Sequence, residues 1–171
     1  MRKSFVPNMP VDQKIEYAGV RIAIVASCFN STIVECLLRG ALETLSQYGV
    51  DANDIETFRV PGAFEIPALA QTVGASGRFD ALICLGAIIQ GETPHFHYLS
   101  QTVLQNIGQV ALTLGLPVTC GILTVLSIEQ AEARSGKEEN KGVEAAMAAL
   151  SMIHTYRALQ PTKSLQSMPT G

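Results

Sequence analysis

Strand-like and helix-like segments take turns along this chain, and that alternation constrains the fold more than any other feature. Residues 21–26 (RIAIVA), 54–60, 80–85 (DALICL) and 118–125 read as strands, as continuous apolar runs rather than apolar–polar alternations. Strands of that kind are buried on both faces, the condition of a parallel sheet covered by helices on either side. The intervening segments carry the helical period. Asn30 and Ser31 are candidate caps for a helix with Ile33, Val34, Leu37, Leu38, Ala41, Leu42 and Leu45 along one stripe and Gly49 as its stop. A short helix follows Pro61-Gly62 and ends near Val73. Thr93 as N-cap and Pro94 at the first helical position open a third, whose stripe is Val103, Leu104, Ile107, Val110, Ala111 and Leu114 before Gly115. Ser127 caps a short helix to about Arg134, and beyond the polar turn SGKEEN a last helix covers about 141–158. The expectation is a three-layer α/β/α sandwich with a four-stranded parallel sheet over residues 18–159. An N-terminal arm over 1–17 precedes it and a loose tail over 160–171 follows.

Composition narrows the function classes. At 171 residues, 47% hydrophobic and only 16% charged, the chain can bury a full core and is too apolar to be disordered. A net charge of -3, from 12 Lys+Arg against 15 Asp+Glu, disfavours a nucleic-acid surface. Sparse charge on so apolar a chain points to further burial against copies of itself. The longest apolar run, 81–89, falls well short of the roughly 20 residues that span a bilayer, so no membrane partner is expected. Cys28, Cys36, Cys84 and Cys120 show no CxxC and no zinc spacing, and read as reduced thiols. The basic N-terminus has no signal-peptide apolar stretch, so a cytoplasmic location is expected.

In an open α/β sheet, ligands bind beyond the carboxyl ends of the strands. The segments that follow the four strands are 27–30 (SCFN), 60–67 (VPGAFEIP), 86–98 (GAIIQGETPHFHY) and 124–130 (TVLSIEQ), and they should converge on one rim. Neither GxxxxGK[ST] nor GxGxxG occurs, which disfavours nucleotide roles. His95 and His97 are two apart, so on a helix they face different ways, and no third ligand is near in sequence; no metal is expected. His95, at the start of its helix, is either a proton-transfer residue or a surface histidine. The same helix start offers free N–H groups to an anion. Residues 79–133 contain no Lys or Arg, so a cation for such an anion must come from Arg134, Lys137 or Lys141. Arg134 itself is either that cation or a solvated helix-end charge. Phe29, directly after a strand, is either a core-edge ring or a stacking platform for a flat heterocycle. Glu65 stands in an apolar run, and a buried carboxylate needs partners; it either caps nearby N–H groups or accepts from ligand hydroxyls.

These residues resemble one family. The segments Phe29-Asn30, VPGAFEIP (60–67), LGAIIQGETPHFHY (85–98), GILTVLSIEQA (121–131), Arg134 and NKGVEAA (140–146) occur in the order and spacing of the lumazine synthases of riboflavin biosynthesis. The resemblance covers roughly residues 20–157. It implies a flavodoxin-like fold, no metal and no cofactor. It also implies condensation of 5-amino-6-(D-ribitylamino)uracil with 3,4-dihydroxy-2-butanone 4-phosphate to 6,7-dimethyl-8-ribityllumazine, phosphate and water. Carried over, Phe29 stacks on the pyrimidine, Ala63, Phe64 and Glu65 contact that substrate, and so do Ala87, Ile88, Ile89 and Cys120. Glu92 and Thr93 cradle the phosphate, Arg134 binds it with Lys141 as helper, and His95 transfers protons. The resemblance further implies a homopentamer, or a 60-subunit icosahedral shell, with sites shared between adjacent subunits and the arm joining a neighbour. The chain departs from the commoner pattern at Cys28 and Gln90, where arginine is frequent, at Cys120, where an aromatic is frequent, and in a shorter 135–140 turn. The alternative reading is a non-catalytic flavin- or lumazine-binding shell protein on the same fold.

Overall fold

A computed structural model describes residues 17–159. The arm's pairing with a neighbour and the 160–171 tail lie outside the described residues. Four strands and five helices alternate: β1 (Ile22–Ser27), α1 (Ser31–Gln47), β2 (Ile55–Val60), α2 (Ile66–Ala75), β3 (Ala81–Ile89), α3 (His95–Leu114), β4 (Val118–Val125), α4 (Ile128–Ser135) and α5 (Lys141–Leu159). The strands are all parallel, in the order β2-β1-β3-β4. This is the expected three-layer sandwich.

Side-chain alternation along the strands builds the layers. Ile22, Ile24 and Ala26 of β1 join Ala81, Ile83, Leu85 and Ala87 of β3 in a core shared with α1, α4 and α5. The intervening Ala23, Val25, Leu82, Cys84 and Ile88 form a second core with α2 and α3. Burial on both faces explains why these strands carry no polar alternation, and each large aliphatic side chain so buried stabilises the fold by roughly 1.5–3 kcal/mol. Tyr17 belongs to the first core, with its hydroxyl donating to the Leu150 carbonyl at 3.4 Å, so the packed unit begins at least as early as Tyr17. The two edge strands are the exceptions to continuous burial: of the six residues of β2 (IETFRV) only Val60 is buried, and Cys120 and Thr124 of β4 are exposed.

Beyond shifts of a residue or two at other element ends, three expectations about boundaries and caps change. β3 runs four residues past Leu85, because β4 pairs with it as far as Ile89↔Val125. α3 begins at His95, with Pro94 as its cap already in helical conformation, and Thr93 makes no capping hydrogen bond. Asn30 precedes α1 but its side chain does not cap it. Ser127 does cap α4, accepting from the Gln130 N–H.

The turn between α4 and α5 is closed by Asn140. Its Nδ2 donates to the carbonyls of Cys36 (3.1 Å) and Ser135 (3.0 Å), and its Oδ1 accepts from the N–H groups of Gly142 (2.8 Å) and Val143 (3.2 Å). Helices α1 and α5 approach closely there: a Cβ on Gly142 would collide with the Leu37 carbonyl.

Candidate active site

The chain leaves β1 to one side to make β2 and returns to the other to make β3, so the connections diverge between β1 and β3. Open sheets bind ligands outside the strand ends at that switch point. A cleft of about 800 Å³ lies there. Its floor is the end of β3, with Ala87 and Ile88 buried and Ile89 half-buried. One wall is the short 3₁₀ turn Ala63–Glu65 after β2, and the other is the start of α3, with Thr93, His95, Phe96 and Leu99. Phe29 and Asn30 close the end over β1.

The structure decides between the alternatives at two residues. Phe29 is 71% exposed, a ring held up beside the cleft rather than a core-edge aromatic. Glu65 is exposed, which corrects the expectation of a buried carboxylate. The turn Ala63–Glu65 sends Ala63 into the core and Phe64 and Glu65 out toward the cleft. Glu65 Oε2 accepts from the Gly62 N–H at 2.9 Å, so one carboxylate oxygen caps the turn.

Nine of the residues singled out from the sequence line this cleft: Phe29, Ala63, Phe64, Glu65, Ala87, Ile88, Ile89, Thr93 and His95. Glu92 is exposed between the lining residues Gly91 and Thr93 but does not itself line the cleft. Three others lie elsewhere in the chain. Cys120 is on β4, exposed and in register with the buried Cys84. Arg134 donates from Nη1 to the Gln130 carbonyl of its own helix at 3.0 Å. Lys141 reaches both carboxylate oxygens of Glu144, at 2.8 and 2.9 Å, and Glu139 at 3.4 Å. The hydrogen bond to Glu144 is the main cause that holds its ammonium above the usual lysine range. His97 is not a lining residue; its ring meets Phe96 edge-on at 5.4 Å.

Asn30, Pro61, Gly62, Gly91 and Phe96 also line the cleft, in segments that the sequence places on the rim without giving these residues a role in the site, and Leu99 lies beyond those segments. Pro61-Gly62 was visible as a strand stop and Asn30 as a cap, so each carried a signal, but one that named a backbone role. Among the described residues no three His, Cys, Asp or Glu side chains gather as a metal set, and no helix is long and apolar enough to cross a membrane.

The cleft can therefore accept a flat ring beside Phe29, take a hydroxyl hydrogen at Glu65 and exchange a proton at His95. The family model for 6,7-dimethyl-8-ribityllumazine synthase matches residues 19–157, from the approach to β1 almost to the end of α5. The chain belongs to that family.

Proposed function

From that membership we propose that the chain condenses 5-amino-6-(D-ribitylamino)uracil with 3,4-dihydroxy-2-butanone 4-phosphate to 6,7-dimethyl-8-ribityllumazine, with release of phosphate and water. The observation that carries the reading is the meeting of Phe29, Glu65 and His95 in one cleft at the β1–β3 switch point. The pyrimidine ring stacks on Phe29 over the Ala87–Ile89 floor, beside Ala63 and Phe64. The ribityl hydroxyls donate to Glu65, whose Oε1 is not the oxygen that caps Gly62. The phosphate sits at the start of α3, by Glu92 and Thr93, where helix N–H groups lack intrahelical partners.

The chemistry asks little of the protein beyond placement. The ring amine attacks the ketone and water leaves to give an imine. Phosphate is then eliminated, the resulting enol tautomerises, and the ribitylamino nitrogen closes the second ring with loss of water. No protein nucleophile is required. Juxtaposing the two substrates supplies much of the acceleration, and His95 moves the protons.

Among the described residues no Lys or Arg lines this cleft. We propose that Arg134, Lys141 and Cys120 reach the site of an adjacent copy, in a homopentamer or a 60-subunit shell, with the part of the N-terminal arm that precedes the packed Tyr17 lying on a neighbour, the residues from Tyr17 to 159 as the enzyme domain and 160–171 as a tail. The second reading is a shell protein that binds a flavin or lumazine without turnover on the same fold. Incubation with both substrates separates them: growth of the lumazine absorbance supports the synthase, and binding without product supports the shell protein. Mixing His95→Ala with Arg134→Ala subunits tests sharing. Mixed rings should recover partial activity, and no recovery after verified subunit exchange would count against a shared site.

A further inference from the structure

We infer that Asn30 is a positioning residue: its side-chain amide, bonded to the Ala87 carbonyl, sets where the Phe29 ring stands over the cleft floor. The inference rests on the reading of Phe29 as the stacking platform. Asn30 is the one non-glycine residue with positive φ among those described, at 56°. That backbone is unfavourable for most residues and less so for asparagine. Such a conformation persists where the surroundings impose it. Capping does not impose it here, because the Asn30 side chain makes no capping bond. Only its backbone carbonyl serves the helix, accepting from the N–H groups of Ile33 (3.0 Å) and Val34 (3.1 Å).

The side chain turns across the switch point instead. Nδ2 donates to the Ala87 carbonyl at 2.8 Å, joining residues 57 positions apart. The sheet explains why that carbonyl needs a donor. β1 pairs with β3 only as far as Ala26↔Leu85, whereas β3 continues to Ile89 along β4. Past Leu85 the β1 side of β3 has no strand beside it, and Ala87 is 4% exposed. A buried carbonyl without a donor is costly. The Asn30 amide stands in for the strand that has ended.

The consequence falls on Phe29. Its own N–H donates to the Pro61 carbonyl at 3.0 Å, and the N–H of Cys28 to the Val60 carbonyl at 2.7 Å. The loop is thus tied to β2 through its backbone and to β3 through Asn30. Ser27 does not back up the second tie, since its buried Oγ makes no hydrogen bond. A ring 71% exposed has few packing neighbours to orient it, so these backbone ties do so.

The chain has no tryptophan, so Phe29→Trp places a single reporter on the loop. Adding Asn30→Gly to it keeps the positive φ accessible and removes the amide. The fast, sub-nanosecond part of the tryptophan anisotropy decay should at least double. An unchanged decay overturns the inference, whether or not the protein turns over its proposed substrates. Kinetics provide the second arm. Asn30→Gly should raise the KM for the pyrimidine about tenfold and change that for the butanone phosphate less than twofold. In a Phe29→Ala background it should add less than a further twofold, because the ring it positions is gone. Multiplicative losses, or equal losses for both substrates, mean a merely structural tie. Asn30→Asp, which keeps size and tolerance of positive φ but cannot donate once ionised, should repeat the pattern. Failure of both variants to fold would also overturn the inference. Absence of product from the wild type would defeat the proposed function and leave the anisotropy result to decide this one.

Discussion

The cleft at the switch point and the segment from the end of α4 to the start of α5 carry, with Glu92 and Cys120 aside, all the side chains that the resemblance assigns to one site, and they are built in opposite ways. In the cleft the functional groups stand open: Phe29, Phe64, Glu65, Thr93 and His95 are all exposed. At the turn the polar groups are spent on one another. Asn140 uses both its donor and its acceptor atoms on the backbone, and Lys141 is held by Glu144 and Glu139. The difference teaches that Phe29, Glu65 and His95 meet within one chain, while Arg134 and Lys141 are carried on a separate segment whose shape is fixed from within.

The largest test of that contrast is Asn140→Ala. It strips donors from the carbonyls of Cys36 and Ser135 and the acceptor from two N–H groups at once, and unsatisfied buried groups cost about 1–3 kcal/mol each before relaxation. Urea denaturation should show a loss of about 3 kcal/mol. A loss below about 1 kcal/mol would mean that the turn is not held by this residue. The cleft should respond in rate rather than in stability. His95→Ala should lower kcat about a hundredfold and leave both KM values within about threefold, as expected for a general acid–base group. An unchanged kcat in steady-state assays removes His95 from the mechanism.

Arg134→Ala sharpens the comparison from the other side. If the turn region supplies the phosphate cation, the KM for the butanone phosphate should rise about tenfold with the pyrimidine KM nearly unchanged, because charge-assisted bonds to phosphate exceed neutral ones. Equal weakening of both substrates would point to loss of fold or assembly. The smallest effect belongs to Lys141→Met. The pair with Glu144 is a partly exposed i,i+3 contact, so its contribution is about 0.5 kcal/mol. Because folding raises the Lys141 pKa, that contribution is present below the ordinary lysine value and is lost as pH rises through the folded one. A stability difference between wild type and Lys141→Met that persisted well above the lysine range would assign the effect to packing instead.

The layers of this fold were legible in the chain because burial on both sheet faces leaves a one-dimensional record: RIAIVA and ALICL have no polar side to show. Helix stops were legible where a single residue meets a steric demand, as at Gly115 with φ 62°. The same local chemistry misled where tertiary partners competed. Asn30 has the side chain of a cap, but the end of β1 left the Ala87 carbonyl without a donor, and the amide went there. Glu65 in an apolar run suggested burial, but a 3₁₀ turn rotates it and Phe64 outward between the buried Ala63 and Ile66. β3 gained four residues from a pairing with β4 that lies 36 positions away in sequence, and no local pattern records such a pairing. Sequence by itself determined the strands, the helices and the motifs that identify the family, because these depend on each residue's own shape and polarity. The strand order, the switch point and the meeting of Phe29, Glu65 and His95 in one cleft were decided by the tertiary structure, because only packing fixes which strand ends lie side by side.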